Sequence, residues 1–156
     1  MAKYTIDTNV YIGVARDPTK QKAAEIDRFS AAFASSLYLC SVVGLEFLAG
    51  THPSHFREVH QEFVKPYERR KRIIVPSHQA YLLASRAIAR FNRPQMADGG
   101  PVRTSFWNDA LIAATCRENG VTLITINTED FRRIRQVFAF EYTAPWPRKP
   151  RDEEGG

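Results

Sequence analysis

The chain has 156 residues, of which 44% are hydrophobic and 25% charged, the balance of one soluble globular domain large enough to bury a core. Its net charge of +5 permits a polyanionic partner without demanding one, and the tail does not supply the excess, because Arg148, Lys149 and Arg151 are offset by Asp152, Glu153 and Glu154. A secretory signal is excluded by Asp7 and Asn9 in the first apolar segment, and no run reaches the ~18 apolar residues of a membrane span. Cys40 and Cys116 lie in apolar runs without CxxC spacing, which reads as two buried free thiols in a reducing cytoplasm.

In chain order, Tyr4–Ile6 reads as a first strand ending on Asp7-Thr8-Asn9, with a helix over Val10–Ala15. Taken alone, Asp7 is equally well explained as the cap of that helix. Lys20–Ser35 carries apolar residues at helical spacing, Leu37–Cys40 is a second strand, and Ser41–Gly50 is a helix with one ionisable residue, Glu46, among Val, Leu and Phe. A carboxylate there must reach solvent, a partner or a cation, since burying it alone is costly.

His52, His55 and His60 lack the cysteine partners or fourth ligand of a zinc site and read as surface histidines. A helix over Phe56–Tyr67 and a charged exit, Glu68–Arg72, lead into a third strand at Ile73–Val75. Ser77–Phe91 is a further helix, and Asn92–Thr104 is a Gly/Pro-bearing loop placed over the rim of a site.

Ser105–Phe131 organises the whole chain: a small-residue helix stops at Asn119-Gly120 and feeds a β-branched strand, Val121–Ile126, that ends at a polar turn. A short helix over Phe131–Val137 and an edge strand over Phe138–Tyr142 follow, and the chain frays from Pro145.

Strands alternating with helices predict an α/β fold with helices on both faces of a mainly parallel sheet. That layout gathers Asp7, Glu46, Asp109 and Asp130 at one sheet edge. Four carboxylates together repel one another, and hard divalent cations such as Mg²⁺ or Mn²⁺ resolve the conflict through oxygen ligands.

Tyr4-Thr5-Ile6-Asp7-Thr8-Asn9, Ser41–Glu46, Asn108–Ala114 and Thr125–Phe131, in this order and at these separations, resemble the PIN-domain ribonucleases, and among them the VapC-type toxins of toxin–antitoxin pairs. The resemblance implies a three-layer α/β/α sandwich over 1–147, with 148–156 a flexible polar tail. It implies Mg²⁺- or Mn²⁺-dependent hydrolysis of RNA, with Asp7, Glu46 and Asp109 as the main acids and a fourth supplied by Asp130 or, as a neutral donor, by Asn127. Thr8 and Asn9 would orient the carboxylates or the phosphate. It also implies a homodimer held in check by a small antitoxin, whose amphipathic segment would sit by an acidic pocket bounded by Phe29, Phe33, Phe47 and Leu48.

A housekeeping PIN nuclease and a silent RNA-binding or scaffold module remain open, the latter because of Asn127. Other enzyme classes fit less well. A haloacid-dehalogenase-type phosphotransferase would need a second Asp where Asn9 stands; no glycine-rich phosphate loop and no GxSxG elbow is present.

Overall fold

The computed structural model describes residues 2–92 and 102–148. Five parallel strands form one sheet in the order β3-β2-β1-β4-β5: β1 (Lys3–Ile6), β2 (Leu37–Cys40), β3 (Ile73–Ile74), β4 (Val121–Ile124) and β5 (Tyr142–Thr143). Helices α1 (Thr8–Arg16) and α2 (Gln21–Ala32) cross from β1 to β2. Between β2 and β3 come α3 (Ser41–Ala49), α4 (Phe56–Val59) and α5 (Lys65–Arg69). The chain then passes through α6 (His78–Phe91) and α7 (Thr104–Asn119) to β4, and through α8 (Thr128–Arg135) to β5.

Two hydrophobic clusters clothe the sheet, giving the expected three layers. Tyr4, Ile6 and Ile124 pack with Val10, Ile26 and Phe29 of α1 and α2. Leu39, Val121 and Leu123 pack with Val43, Ala84, Ile112, Phe131 and Ile134 of α3, α6, α7 and α8. The topology sets where a site can form. Strand order reverses on either side of β1, so β1 and β4 diverge in their connections, and the crevice beyond their C-terminal ends is the switch point of an open α/β sheet.

Several element boundaries differ from the sequence expectation, each for a local reason. β4 ends at Ile124: Thr125 N still donates to Thr143 O, but the next two residues turn to side-chain partners, Ile126 N–H to Asn9 Oδ1 and Asn127 N–H to Thr125 Oγ1. α8 starts at Thr128, where Glu129 and Asp130 in the first turn favour a helix N-terminus. The final strand is not Phe138–Tyr142: Phe138 N still bonds Ile134 O at the helix end, and Phe140 packs against both Phe131 and Phe138, so pairing begins only at Tyr142. The Phe56–Tyr67 helix contains a π turn over His60–Val64, in which Lys65 N–H reaches back to His60 O just before Pro66, a residue with no N–H of its own.

Nor does the chain fray at Pro145, because Trp146 lies on the Phe29 ring with centroids 4.9 Å apart. Phe29 and Phe33 do not border the acids; they stack on each other and edge against Tyr4, near the start of β1. Most of the rim loop read at Asn92–Thr104, and the tail beyond Arg148, lie outside the described residues.

Two glycines should respond to alanine with opposite signs. Gly120 ends α7 at φ +62°, a left-handed conformation that a Cβ penalises by about 1–2 kcal/mol. Gly44 is inside α3, where a Cβ would meet Leu39 Cδ2 at an ordinary 3.6 Å, so Gly44→Ala should gain about 0.5–1 kcal/mol. Thermal denaturation of the two variants checks this; at this size each kcal/mol moves Tm by about 2–4 °C.

Candidate active site

The register of β1 on β4 pairs Ile6 with Ile124, so Asp7 leaves its strand beside Thr125. Asp7 N donates to Ile124 O (2.9 Å), which fixes the turn, and only 3% of the residue is exposed. Its side chain both caps α1 and faces the crevice: Oδ1 accepts from Thr8 N at 2.8 Å, and Oδ2 accepts from Thr125 Oγ1 at 2.8 Å. The Asp7 side chain thus caps α1 and also lies at the sheet edge where the sequence places it.

Glu46 does not escape to solvent. It turns inward from α3 to accept from Thr8 Oγ1 (2.9 Å) and, more weakly, from Asn108 Nδ2 (3.5 Å). Asp109, on the second turn of α7 and 7% exposed, accepts from Asn127 Nδ2 at 3.2 Å. The same amide nitrogen donates to Asp130 Oδ2 at 3.2 Å, so Asn127 bridges two carboxylates. Asn127 stands at the N-cap position of α8 without making a side-chain cap; its amide serves the site instead. Asp130 is shared, lying 3.7 Å from Arg133 in its own helix.

All five residues expected at the site thus meet at the β1–β4 switch point. Asn9 sits behind them: its Nδ2 donates to Thr125 Oγ1 (3.3 Å) and its Oδ1 accepts from Ile126 N (3.5 Å), tying α1 to the end of β4. Sequence reasoning passed over Thr125 and Asn108. A threonine closing a β-branched run and an asparagine on a helix carry no chemical signal by type; only their positions beside the acids give them a role.

Electrostatics single out two acids. Burial pushes the Asp7 carboxyl up to about 6, against the lowering effect of its bonds from Thr125 and Thr8, with the Glu46 charge adding a rise. Burial also drives Asp109 up to about 8, followed by repulsion from Asp7, Glu46 and Asp130. Among the described residues, no Lys or Arg pairs with Asp7, Glu46 or Asp109.

The donors are hard oxygen groups, and Asp7, Glu46 and Asp109 have no Lys or Arg partner among the described residues, which fits Mg²⁺ or Mn²⁺ in chemistry. Their spacing is not yet that of a closed ligand set: among the described residues no three His, Cys, Asp or Glu side chains are arranged to hold an ion as they stand. The three histidines take no part; His60 pairs with Glu68 and His52 with Ser54. A cavity of about 530 Å³ bounded by Gln79, Arg117, Glu118 and Glu141 lies by the start of β4 and contains none of the acids.

A PIN-domain family model matches residues 4–137. The chain belongs to the PIN-domain family. Among solved structures, it is similar to a chain of DNA-bound VapBC from Salmonella typhimurium, with 22% identity, a TM-score of 0.65, and coverage of 92% of this chain and 98% of that one. FitAcB from Neisseria gonorrhoeae gives 19% identity and a TM-score of 0.63 at 92% and 98% coverage. A toxin–antitoxin complex from Klebsiella pneumoniae gives 22% identity and a TM-score of 0.53 at 83% and 90%. At these identities the likeness establishes the fold. No curated protein matches the sequence significantly. Cys40 and Cys116 are buried free thiols, as expected, and no described helix of this PIN domain is long and apolar enough to cross a membrane.

The raised carboxyls make a signed prediction for the metal-free protein. An unfolded Asp ionises near 3.8, whereas folded Asp109 holds its proton to about 8 and folded Asp7 to about 6. Their contribution to stability is complete below pH ~4 and is lost as pH rises through those folded values. In chelator, Tm should therefore fall by several degrees between pH 5 and pH 8. Asp109→Asn should flatten that slope and melt higher than wild type at pH 8; an equal slope in both proteins would show that Asp109 ionises freely.

Proposed function

We propose that this PIN domain is a divalent-cation-dependent endoribonuclease, using Asp7, Glu46, Asp109 and Asp130 with Asn127, and that it serves as the toxin of a toxin–antitoxin pair. One observation carries the nuclease reading. A buried carboxyl, Asp109, is pressed by Asp7, Glu46 and Asp130 at a sheet switch point, and among the described residues no Lys or Arg pairs with Asp7, Glu46 or Asp109, while Asp130 lies 3.7 Å from Arg133. A structural role alone gives no reason to keep such a cluster, since it destabilises the folded chain.

Asp7 and Asp109 would hold the principal Mg²⁺ or Mn²⁺, with Glu46 beside it and Asp130 and Asn127 completing the set. When bound, the cation would activate water and offset charge developing on the phosphodiester. The chain's own part is positioning. Thr8 N–H and Thr125 Oγ1 hold the two oxygens of Asp7, while Thr8 Oγ1 and Asn108 fix Glu46. These donors are neutral, so they orient the acids without cancelling the charge that would attract a cation. Asp109 must give up its proton before it can serve as a ligand, which favours cation binding as pH rises toward 8.

The toxin role draws support from the likeness to VapBC and to a toxin–antitoxin complex. A small antitoxin would restrain the enzyme, placing an Arg or Lys among the acids in competition with the cation. The proposal includes a homodimer working in the cytoplasm and a nuclease domain spanning 1–147.

Asp7→Asn and Asp109→Asn should each reduce RNA cleavage beyond the ~10–100-fold typical of a change outside the ligand set, with the fold intact. Full cleavage by either variant, in nuclease-free preparations, would overturn the assignment. Asp130→Ala should weaken activity more than Asn127→Ala and be partly restored by excess Mn²⁺. The reverse order in a Mn²⁺ titration would reduce Asp130 to a helix-start acid paired with Arg133. Co-expression with the adjacent small gene should rescue growth; a chain that is harmless alone and co-purifies with no small partner would be a housekeeping PIN nuclease instead.

A further inference from the structure

Helix α1 contains a glycine that the packing of the fold does not call for. Gly13 stands in the helix interior, where glycine is weaker than alanine. A Cβ there would meet only the end of a flexible side chain, Lys22 Nζ at 3.8 Å, so no neighbour excludes one. The bare backbone instead lines a cavity of about 100 Å³, whose walls include Asn9, Lys22, Glu25, Ile126 and Trp146. This cavity shares a wall with the acidic crevice. Asn9 Nδ2 donates to Thr125 Oγ1 (3.3 Å), which donates in turn to Asp7 Oδ2 (2.8 Å), and Asn9 Oδ1 accepts from Ile126 N (3.5 Å). Two hydrogen bonds therefore separate the cavity from a principal acid.

The polar groups of the lining are available. Lys22 is anchored through its backbone, whose N–H donates to Asp17 Oδ2 at 2.9 Å, while its exposed ammonium forms no salt bridge among the described residues. Glu25, also exposed and three residues further along α2, forms none either. Trp146 is held in place by the Phe29 ring, 4.9 Å away between centroids. A nucleotide has a counterpart for each group. An indole takes a base by stacking, a carboxylate accepts from an N–H of the base edge, and an ammonium pairs with a phosphate. A free phosphate would use the lysine alone and be repelled by Glu25, and a helix, about 10–12 Å across, is too wide to enter.

We propose that the Gly13 cavity is a nucleotide subsite, which receives the base of the RNA residue next to the scissile phosphate while Lys22 pairs with that residue's own phosphate. The inference rests on the nuclease reading. It gives the unforced glycine a use, since a side chain at position 13 would occupy the space the base takes. A side chain of a protein partner is the competing occupant; the union of ring, carboxylate and ammonium beside nuclease acids favours the nucleotide.

The test uses the full chain with Mn²⁺ and an RNA pool of random sequence. Gly13→Leu fills the cavity from a helix position that tolerates a Cβ, so it should melt no lower than wild type yet raise KM by about 5- to 150-fold, the range lost with one stacked base. Lys22→Gln should lower the slope of log KM against log salt by about 0.7, the share of one phosphate contact, while Lys22→Arg keeps it. In chelator, a Trp107→Phe protein, whose only indole is Trp146, should lose fluorescence on adding the pool, and should not when Gly13→Leu is combined with it. Wild-type KM in folded Gly13→Leu, or an unchanged salt slope in Lys22→Gln, overturns the subsite and leaves the nuclease intact. Unchanged KM with Trp146 quenched by AMP alone would make the cavity a site for free mononucleotide, and unchanged KM with loss of a co-purifying protein would assign it to that partner. If wild type neither cleaves nor binds RNA, the nuclease reading fails and the subsite falls with it.

Discussion

The pairing of β1 with β4 is the constraint on which the rest of this molecule depends. It brings the residue after one strand beside the residue after the other, and the Asp7–Thr125 bond of 2.8 Å closes that join. Because the strand order reverses at this pair, no crossover helix covers the gap, and the crevice stays open. Side chains from α3, α7 and the turn before α8 can then enter it from three directions. Moving β4 one residue along β1 would turn its inward and outward faces over and carry Thr125 away from Asp7.

Around this join the protein has used neutral polar groups. Thr8, Asn9, Asn108, Thr125 and Asn127 all donate into the site or brace it, and none is charged. The choice has a physical consequence. An arginine in their place would neutralise the acids, relax the raised Asp109 carboxyl and remove the attraction for a divalent cation. Neutral donors fix geometry and leave the field negative. The fold carries the resulting cost in stability through two extensive cores, with Phe131, Ile112 and Leu123 completely enclosed.

Much of this was legible in the sequence because alternation of short apolar runs and helical spacing encodes a parallel sheet, and each acid stands at an element end. Asp7, Glu46, Asp109 and Asp130 could be placed at one edge from element order alone. Thr125 could not, since its hydroxyl matters only through the β1–β4 register, a long-range fact. Asn127 was ambiguous between cap and site, and only its side-chain direction decides. The last strand was misplaced because Phe138 and Phe140 alternate like strand residues while in fact forming an aromatic cluster in which Phe140 meets both Phe138 and Phe131. Trp146 was read as tail because nothing in Pro-Trp-Pro announces the Phe29 ring that receives it.

The central claim is that the crowded acids await a cation, and proton release upon binding tests it most directly. Mn²⁺ titrated into the chain at pH 7, by calorimetry in two buffers of different ionisation enthalpy, reports protons exchanged as well as affinity. With Asp109 raised to about 8 and Asp7 to about 6, binding should expel about one proton per site, mostly from Asp109. Asp109→Asn should bind more weakly and expel almost none. Absence of Mn²⁺ binding, or binding with no proton released by the wild-type chain, would contradict the account.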